Sequence, residues 1–224
     1  MWTEEWAPCA RKVNGRRMSV SRFSPGENTW SNLPERWRAQ LINSASGFKP
    51  LVLLATRNSQ NIDNLAIFSQ LIHLGANPPL LGVLFRPDSV PRHTLENLQT
   101  QGMATVNAVR YEDRRAAHQT SARYPADVSE FDAVGLKREF RPEWPVPFVH
   151  GCPVQWAVRL QTLLPISANG TQLAVLEVVH LFVAESGIQE DGYVDLAALD
   201  VATVNGLDAY HRTDSLDRLP YAKP

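Results

Sequence analysis

Apolar runs separated by turn residues dominate the chain. Two long ones, 154–164 and 173–183, flank Asn169-Gly170, a dipeptide typical of tight hairpin turns. Three shorter continuous runs have the length and composition of buried strands, and they span 51–56, 80–85 and 103–109. The pattern therefore predicts a mainly β structure in which the two longest strands form a hairpin.

Short helices are predicted between some of these strands. Apolar positions within 34–42 have the spacing of a short amphipathic helix, and a second helix is predicted from near Thr94 to Gly102. Asp127 and Glu130 have the spacing of a capping box, in which Asp127 accepts from the first turn and Glu130 reaches back. Gly135 is expected to end that third helix.

Strands joined by turns, with only brief helices, favour a closed or nearly closed antiparallel barrel over alternating βαβ units. The chain has 224 residues and shows no internal repeat and no linker composition. We expect an N-terminal extension over 1–33, partly irregular, and one domain over 34–224. Translation from Met1 and translation from Met18 both stay open.

Composition and charge narrow the class of protein. Lys plus Arg number 22 and Asp plus Glu 23, for a formal net charge of −1, which argues against a nucleic-acid partner. Cys9 and Cys152 are far apart and lie near no histidine cluster, so we expect reduced thiols and no metal site. The longest apolar run, 173–184, contains Glu177 and His180, so no membrane span is expected. The expected compartment is the cytoplasm.

The chain lacks the familiar enzyme motifs G-x-G-x-x-G, G-x-x-x-x-G-K-[ST], G-x-S-x-G and H-E-x-x-H. A dense polar block remains, placed at strand ends and at a helix start. It contains Thr56, Arg57, Asn58, Asn61, Asp63, Asn64, Ser69, Arg86, Arg92, His93 and Thr94. Such a block is typical of a site for a phosphorylated ligand.

The phosphate interpretation depends on the helix predicted near Thr94. Its first turn presents free N–H groups and the positive end of the helix dipole, and Arg86 and Arg92 add planar donors. The alternative is that Thr94 only caps its helix and both arginines are solvated. The segment 61–69 has two interpretations. The amide groups around its asparagines could hydrogen-bond to the polar edge of a flat heterocycle, or the segment could be only an Asn-rich turn that enters a strand.

A series of short motifs resembles one known family. In order, the motifs are Asn64–Ser69, Pro78–Val83, Arg92–Asn97, Gly102, Val106-Asn107, His118–Ala122, Ser129–Phe131, Asp191–Asp195 and Gly206–Tyr210. Their order and spacing, over about residues 34–215, resemble the flavin reductase-like family that binds FMN.

The resemblance implies a mainly β fold, namely a six-stranded antiparallel Greek-key split β-barrel with short peripheral α-helices. It also implies a homodimer with FMN near the subunit interface. The cofactor-binding residues carried over are Thr56, Arg57, Asn58, Asn64, Leu65, Ser69, Arg86 and Thr94. The segments 56–58 and 64–69 would hold the ring and ribityl chain through main-chain groups, while Ser69, Arg86 and Thr94 would hold the phosphate. Many members differ from this chain at 60–63, where they carry a glycine and a small residue.

The activity implied by the resemblance is that of an NAD(P)H-dependent flavin reductase, with NADH or NADPH as electron donor and an oxygenase or another electron acceptor as partner. The alternative is a dimeric FMN-binding flavoprotein that carries electrons or has no catalysis of its own. A relative of pyridoxine-phosphate oxidases is less favoured, because the motifs are those of the reductase branch. Catalytic residues stay unassigned; the histidine candidates for nicotinamide or flavin contact are His118, His150, His180 and His211.

Four aromatic residues are predicted to serve as core or dimer contacts rather than as a stacking platform. They are Phe131, Trp144, Phe148 and Trp156. Cys152 is predicted to be a small packed residue.

Overall fold

Antiparallel strands form the framework of the described chain, which in this computed structural model comprises residues 23–24, 26–87, 91–214 and 217–223. The chain divides into two compact units, with the boundary between Ala39 and Gln40. In the first unit a 3₁₀ turn spans Glu27–Asn32, and the rings of Phe23 and Trp37 meet edge to face at 5.5 Å. Cys9 and most of the predicted extension 1–33 lie outside the described residues, so its boundary stays a prediction.

The elements follow one another in this order. The strands are β1 Phe48–Pro50, β2 Val52–Arg57, β3 Asp63–Phe68, β4 Leu71–Ala76, β5 Pro79–Phe85, β6 Met103–Ala108, β7 Arg138–Arg141, β8 Trp144–Val149, β9 Val154–Ile166, β10 Thr171–Val183, β11 Thr203–Asn205 and β12 Ala209–His211. The α-helices are α1 Glu35–Ala45, α2 His93–Gln101, α3 Arg114–Gln119 and α4 Glu130–Val134. Within the described residues, none of the helices has the length and apolar composition that crossing a membrane requires.

One large antiparallel sheet has the strand order β3-β2-β6-β9-β10-β5-β4. Only Ser69 and Gln70 separate the two edge strands along the chain, and the Leu84 N–H donates to the Gln70 carbonyl at 3.1 Å. The chain therefore passes directly from one edge strand to the other, so the sheet curls, while β3 keeps one edge that no strand pairs with. This sheet has seven strands, one more than the six that were expected, while the mainly β class is as predicted.

Both faces of β2 are buried, which explains its continuous apolar run. Val52 and Leu54 belong to a core cluster with Phe85 of β5 and with Leu95 and Leu98 of α2. On the other face Leu51, at the start of the strand, and Leu53 and Ala55 belong to a second cluster, which also contains Phe131, Trp144 and Phe148. The prediction that these three aromatic residues are core residues is confirmed; Trp156 is half-buried and packs against the first cluster.

Most elements predicted from the pattern are present. β9 and β10 form the expected hairpin, and Gly170 in its turn has a left-handed φ of 71°. α2 ends where Gly102 adopts a φ of 69°, as a C-terminal glycine should. The hairpin of β7 and β8 was not predicted, because Pro145 and Pro147 interrupt the strand pattern; β8 tolerates them because it pairs with β7 alone.

Candidate functional site

A buried polar network joins β2, β3 and α2. The Asn64 side-chain amide donates to the Thr94 hydroxyl at 2.8 Å, and the Asn97 amide donates to the Thr56 hydroxyl at 3.1 Å. Thr56 and Asn64 face each other across the β2–β3 ladder. All four side chains are buried. Three predicted site residues are thus brought together, and Asn97 is a fourth; its signal in the sequence is its place three residues after Thr94, on the same face of a helix.

Thr94 does not cap α2. The helix begins at His93, and its N-cap residue, Arg92, makes no side-chain capping bond. Glu96 instead reaches back from the first turn and accepts the Arg92 N–H at 3.1 Å. The part of the alternative in which Thr94 caps its helix is therefore wrong, because Arg92 is the N-cap residue and the Thr94 hydroxyl accepts from Asn64. Its other part, that the arginines are solvated, agrees with the exposed position of Arg86.

The other two predicted phosphate ligands stand apart from this network. Ser69 directly follows Phe68 and Arg86 directly follows Phe85, and the rings of Phe68 and Phe85 lie 5.1 Å apart. Ser69 and Arg86 therefore lie at the same end of the barrel, each directly after the last residue of its strand. Arg86 is exposed. Among the described residues no hydrogen bond joins either of them to Thr94.

The Arg57 side chain is part of an ion-pair cluster. The Asp63 carboxylate is 7% exposed and accepts from Arg57 Nε at 2.8 Å and from Arg138 Nε at 2.9 Å. Arg138 also donates a bidentate pair of hydrogen bonds to the Asp132 carboxylate, and this contact lowers the pKa of Asp132. Arg57 lies over the ring of Phe140, with its guanidinium carbon 5.6 Å from the ring centroid. Its side chain therefore holds the β2–β3 connection to the β7 hairpin.

Asn58 closes its own turn. Its side-chain oxygen accepts the N–H groups of Gln60 and Ile62, both at 2.9 Å, and Asn61 adopts a left-handed φ of 63°. Left-handed backbone is well tolerated by asparagine. The interpretation of this segment as an Asn-rich turn that enters a strand is confirmed for the backbone; the ligand role of Asn58 stays a prediction.

A polar cavity of about 170 Å³ opens beside the network. Its lining includes Asn58, Asp63, Asn64, His93, Glu96 and Asn97. Pockets that enclose drug-sized ligands hold about 300–1,000 Å³. The cavity can therefore receive part of a molecule the size of FMN but cannot enclose it.

Glu130 reaches β3 instead of forming the predicted capping box. The N-cap residue of α4 is Ser129, which makes no side-chain capping bond. Glu130 Oε2 accepts the N–H of Leu65 at 2.8 Å, and burial raises the pKa of Glu130. The predicted capping box is therefore wrong, because the Glu130 carboxylate accepts a backbone N–H of the edge strand β3 rather than one at the start of its own helix. The Leu65 side chain is fully buried, and its N–H is already donated.

The candidate histidines lie in different surroundings. His118 Nδ1 lies 2.6 Å from the Tyr210 hydroxyl, whereas the ring of His180 stacks on Phe182 with a centroid separation of 6.1 Å. His150 is exposed, and the ring of His211 meets that of Phe48 edge to face. None of these four shares a hydrogen bond with the Asn64–Thr94 network in the part of the chain that the structure describes.

Cys152 is packed, as predicted. It is a free thiol, 8% exposed, and burial raises its pKa to about 12. A thiol with so high a pKa stays protonated at neutral pH and is a poor nucleophile.

Solved structures share this architecture. A Shewanella frigidimarina protein, provisionally assigned as a flavin reductase with a split barrel domain, is 43% identical with a TM-score of 0.85, covering 91% of this chain and all of that one. Nitrilotriacetate monooxygenase component B from Bacillus cereus is 20% identical with a TM-score of 0.79, covering 90% of this chain and all of that one. An FMN-binding protein from Thermus thermophilus is 17% identical with a TM-score of 0.67, covering 91% of this chain and all of that one. The mainly β split-barrel prediction is confirmed.

The family model described as flavin reductase like domain matches residues 47–197, which include β2 to β10 and the whole polar network. The chain belongs to the flavin reductase-like domain family.

Proposed function

We propose that this protein is an FMN-binding oxidoreductase that uses NADH or NADPH to reduce flavin. The observation that carries the proposal is the buried network of Thr56, Asn64, Thr94 and Asn97, which orders the β2–β3–α2 block of a flavin reductase-like domain. When bound, FMN supplies the hydride chemistry, and the protein supplies orientation and electrostatics.

The residues present suit the two ends of FMN. The exposed guanidinium of Arg86, with Ser69 at the same end of the barrel, offers donors for a phosphate. Main-chain groups along β3, between Asn64 and Ser69, would face the polar edge of the ring, and the nearby polar cavity would receive part of the ligand. The proposed cofactor-binding set remains Thr56, Arg57, Asn58, Asn64, Leu65, Ser69, Arg86 and Thr94, with the side chains of Arg57 and Asn58 shaping the loop rather than touching the ligand.

A homodimer is part of the proposal, and an apolar strip on the outer face of the sheet supports it. Leu164 pairs with Leu173, and Ile72 pairs with Gly82, so these positions lie on one face across β9, β10, β5 and β4. Ile72 and Leu164 are 48% and 47% exposed. A Cβ at Gly82 would lie 2.8 Å from the Ile72 side chain, so only glycine lets Ile72 lie flat across β5.

We further propose a cytoplasmic protein whose reduced flavin serves an oxygenase or another electron acceptor. The structural likeness to a monooxygenase component B is compatible with such a partner, although at 20% identity that likeness extends to the fold alone.

An absorbance titration tests the proposal. The purified protein is mixed with FMN, and NADH and then NADPH are added to the same cuvette. We expect perturbed flavin bands on binding, bleaching by one of the two nucleotides and recovery in air. Bound flavin that ignores both nucleotides would instead support the electron-carrying alternative, and an unperturbed spectrum would contradict both.

A further inference from the structure

Glu130 is a buried carboxylate without an arginine or lysine partner in the described part of the chain. Its side chain is 5% exposed. Burial raises its pKa, so the charged form is costly at this position. An apolar residue of similar size would avoid that cost. The carboxylate therefore needs an explanation other than stability.

The bond that Glu130 makes lies on the free edge of β3. β3 is the last strand in the sheet order, and Leu65 faces Ala55 of β2 on its paired side. The Leu65 N–H goes to Glu130 Oε2 instead of β2, so it points to the unpaired edge. Alternate residues of a strand direct their N–H groups to the same edge, so Ile67 is the next such position.

We propose that Glu130 is a positioning residue for the flavin site, holding the free edge of β3 in the geometry that main-chain contacts to FMN require. This inference rests on the proposed function, which places the ligand along the segment from Asn64 to Ser69. An edge strand that pairs with another strand on one side only gains rigidity from a second anchor, and the bond from the Leu65 N–H to Glu130 supplies one. Rigidity before binding raises affinity, because less ordering remains when the ligand arrives.

The direction of the side chain supports this role over a purely local one. A capping glutamate would bond to the start of its own helix, where it would stabilise α4 alone. Glu130 instead links α4 to a residue 65 positions earlier in the chain, next to Asn64 of the buried network.

The test compares Glu130→Gln, whose amide oxygen can still accept the Leu65 N–H, with Glu130→Met, which has similar length and no strong acceptor. FMN dissociation constants are measured by flavin fluorescence, and melting temperatures are measured without FMN. We expect Glu130→Met to bind FMN about tenfold more weakly, or about 1.4 kcal/mol, and Glu130→Gln to stay close to the wild-type affinity. Equal affinity of Glu130→Met and wild type, or equal weakening in both variants, would overturn the proposal.

Thr105→Val is the matched control, because Thr105 donates a buried hydrogen bond to the Pro147 carbonyl at 2.8 Å and lies on β6, away from the free edge. It should lower the melting temperature without changing FMN affinity. If Glu130→Met does not fold, Glu130→Asp serves in its place, since its carboxylate is one methylene shorter and cannot reach the Leu65 N–H as closely. FMN affinity should then fall; an unchanged FMN affinity would overturn the proposal. Failure of the wild type to bind FMN would instead refute the proposed function.

Discussion

The side-chain amide of Asn64 donates a 2.8 Å hydrogen bond to the hydroxyl of Thr94, joining two residues 30 positions apart in the chain. The two side chains are 8% and 6% exposed, so neither group can readily exchange its partner for water. A buried polar group that loses its partner costs about 1–3 kcal/mol. The bond therefore fixes the first turn of α2 against the start of β3.

Thr94→Val removes the acceptor while keeping the shape of the side chain. We expect the free energy of unfolding in urea to fall by about 1–3 kcal/mol, because the Asn64 amide is left buried and unpaired. In a double-mutant cycle with Asn64→Leu, the double variant should lose less than the sum of the single losses. Thr100→Val, at an exposed position on the same helix, is the control and should change stability by less than about 0.5 kcal/mol. Strictly additive losses would show that the bond carries no coupling energy.

Arg86→Ala tests the proposed phosphate contact. Removing a charge-assisted hydrogen bond should weaken FMN binding by about 1.5–3 kcal/mol, and Thr94→Ala combined with it should weaken binding further. Riboflavin lacks the phosphate, so its affinity should be insensitive to Arg86→Ala. Titration of both ligands, with Arg159→Ala as an exposed arginine control on β9, makes the comparison. An equal effect on riboflavin and FMN would remove Arg86 from the phosphate site.

Glu130 should make stability depend on pH in a definite direction. Its folded-state pKa is raised by burial above the ordinary value of 4.5, so between the two pKa values the folded protein binds more protons than the unfolded chain. Stability of the wild type, relative to Glu130→Gln, should thus be greatest below the ordinary pKa and decline as pH rises through the raised one. Urea unfolding of both proteins from about pH 4 to about pH 8 measures the difference. If the stability of the wild type relative to Glu130→Gln instead rises over this pH range, the raised pKa of Glu130 is contradicted.

Ile72→Lys tests the outer apolar strip as the dimer contact. A lysine at this half-exposed position would place a charge within the proposed interface, where desolvating it is costly. Sedimentation velocity should then show a smaller species than the wild type, with unchanged circular dichroism. Leu219→Lys, at a position 83% exposed in the C-terminal segment, should leave the sedimentation coefficient unchanged. A monomeric wild type would refute the homodimer itself.

Local signals predicted much of the architecture. The Asn169-Gly170 turn and the end of α2 at Gly102 both depend on neighbouring residues alone. Both features are present in the structure. The capping box of Asp127 and Glu130 failed because local spacing cannot reveal that a distant strand offers the carboxylate a better partner. Asn97 was not predicted as a site residue for the same reason, since its partner Thr56 is 41 positions away.

The sequence by itself determined the longer strands, the main turns, the class of fold and the polar block from Thr56 to Thr94, because those follow from short-range periodicity, turn chemistry and motif order. Tertiary structure decided which members of that block meet. Closure of the sheet through Ser69 and Gln70 brings Asn64 to Thr94 and places Ser69 with Arg86 at the other end of β3. A hydrogen bond between side chains depends on distances set by the packing of whole elements, and no pattern of neighbouring residues encodes those distances.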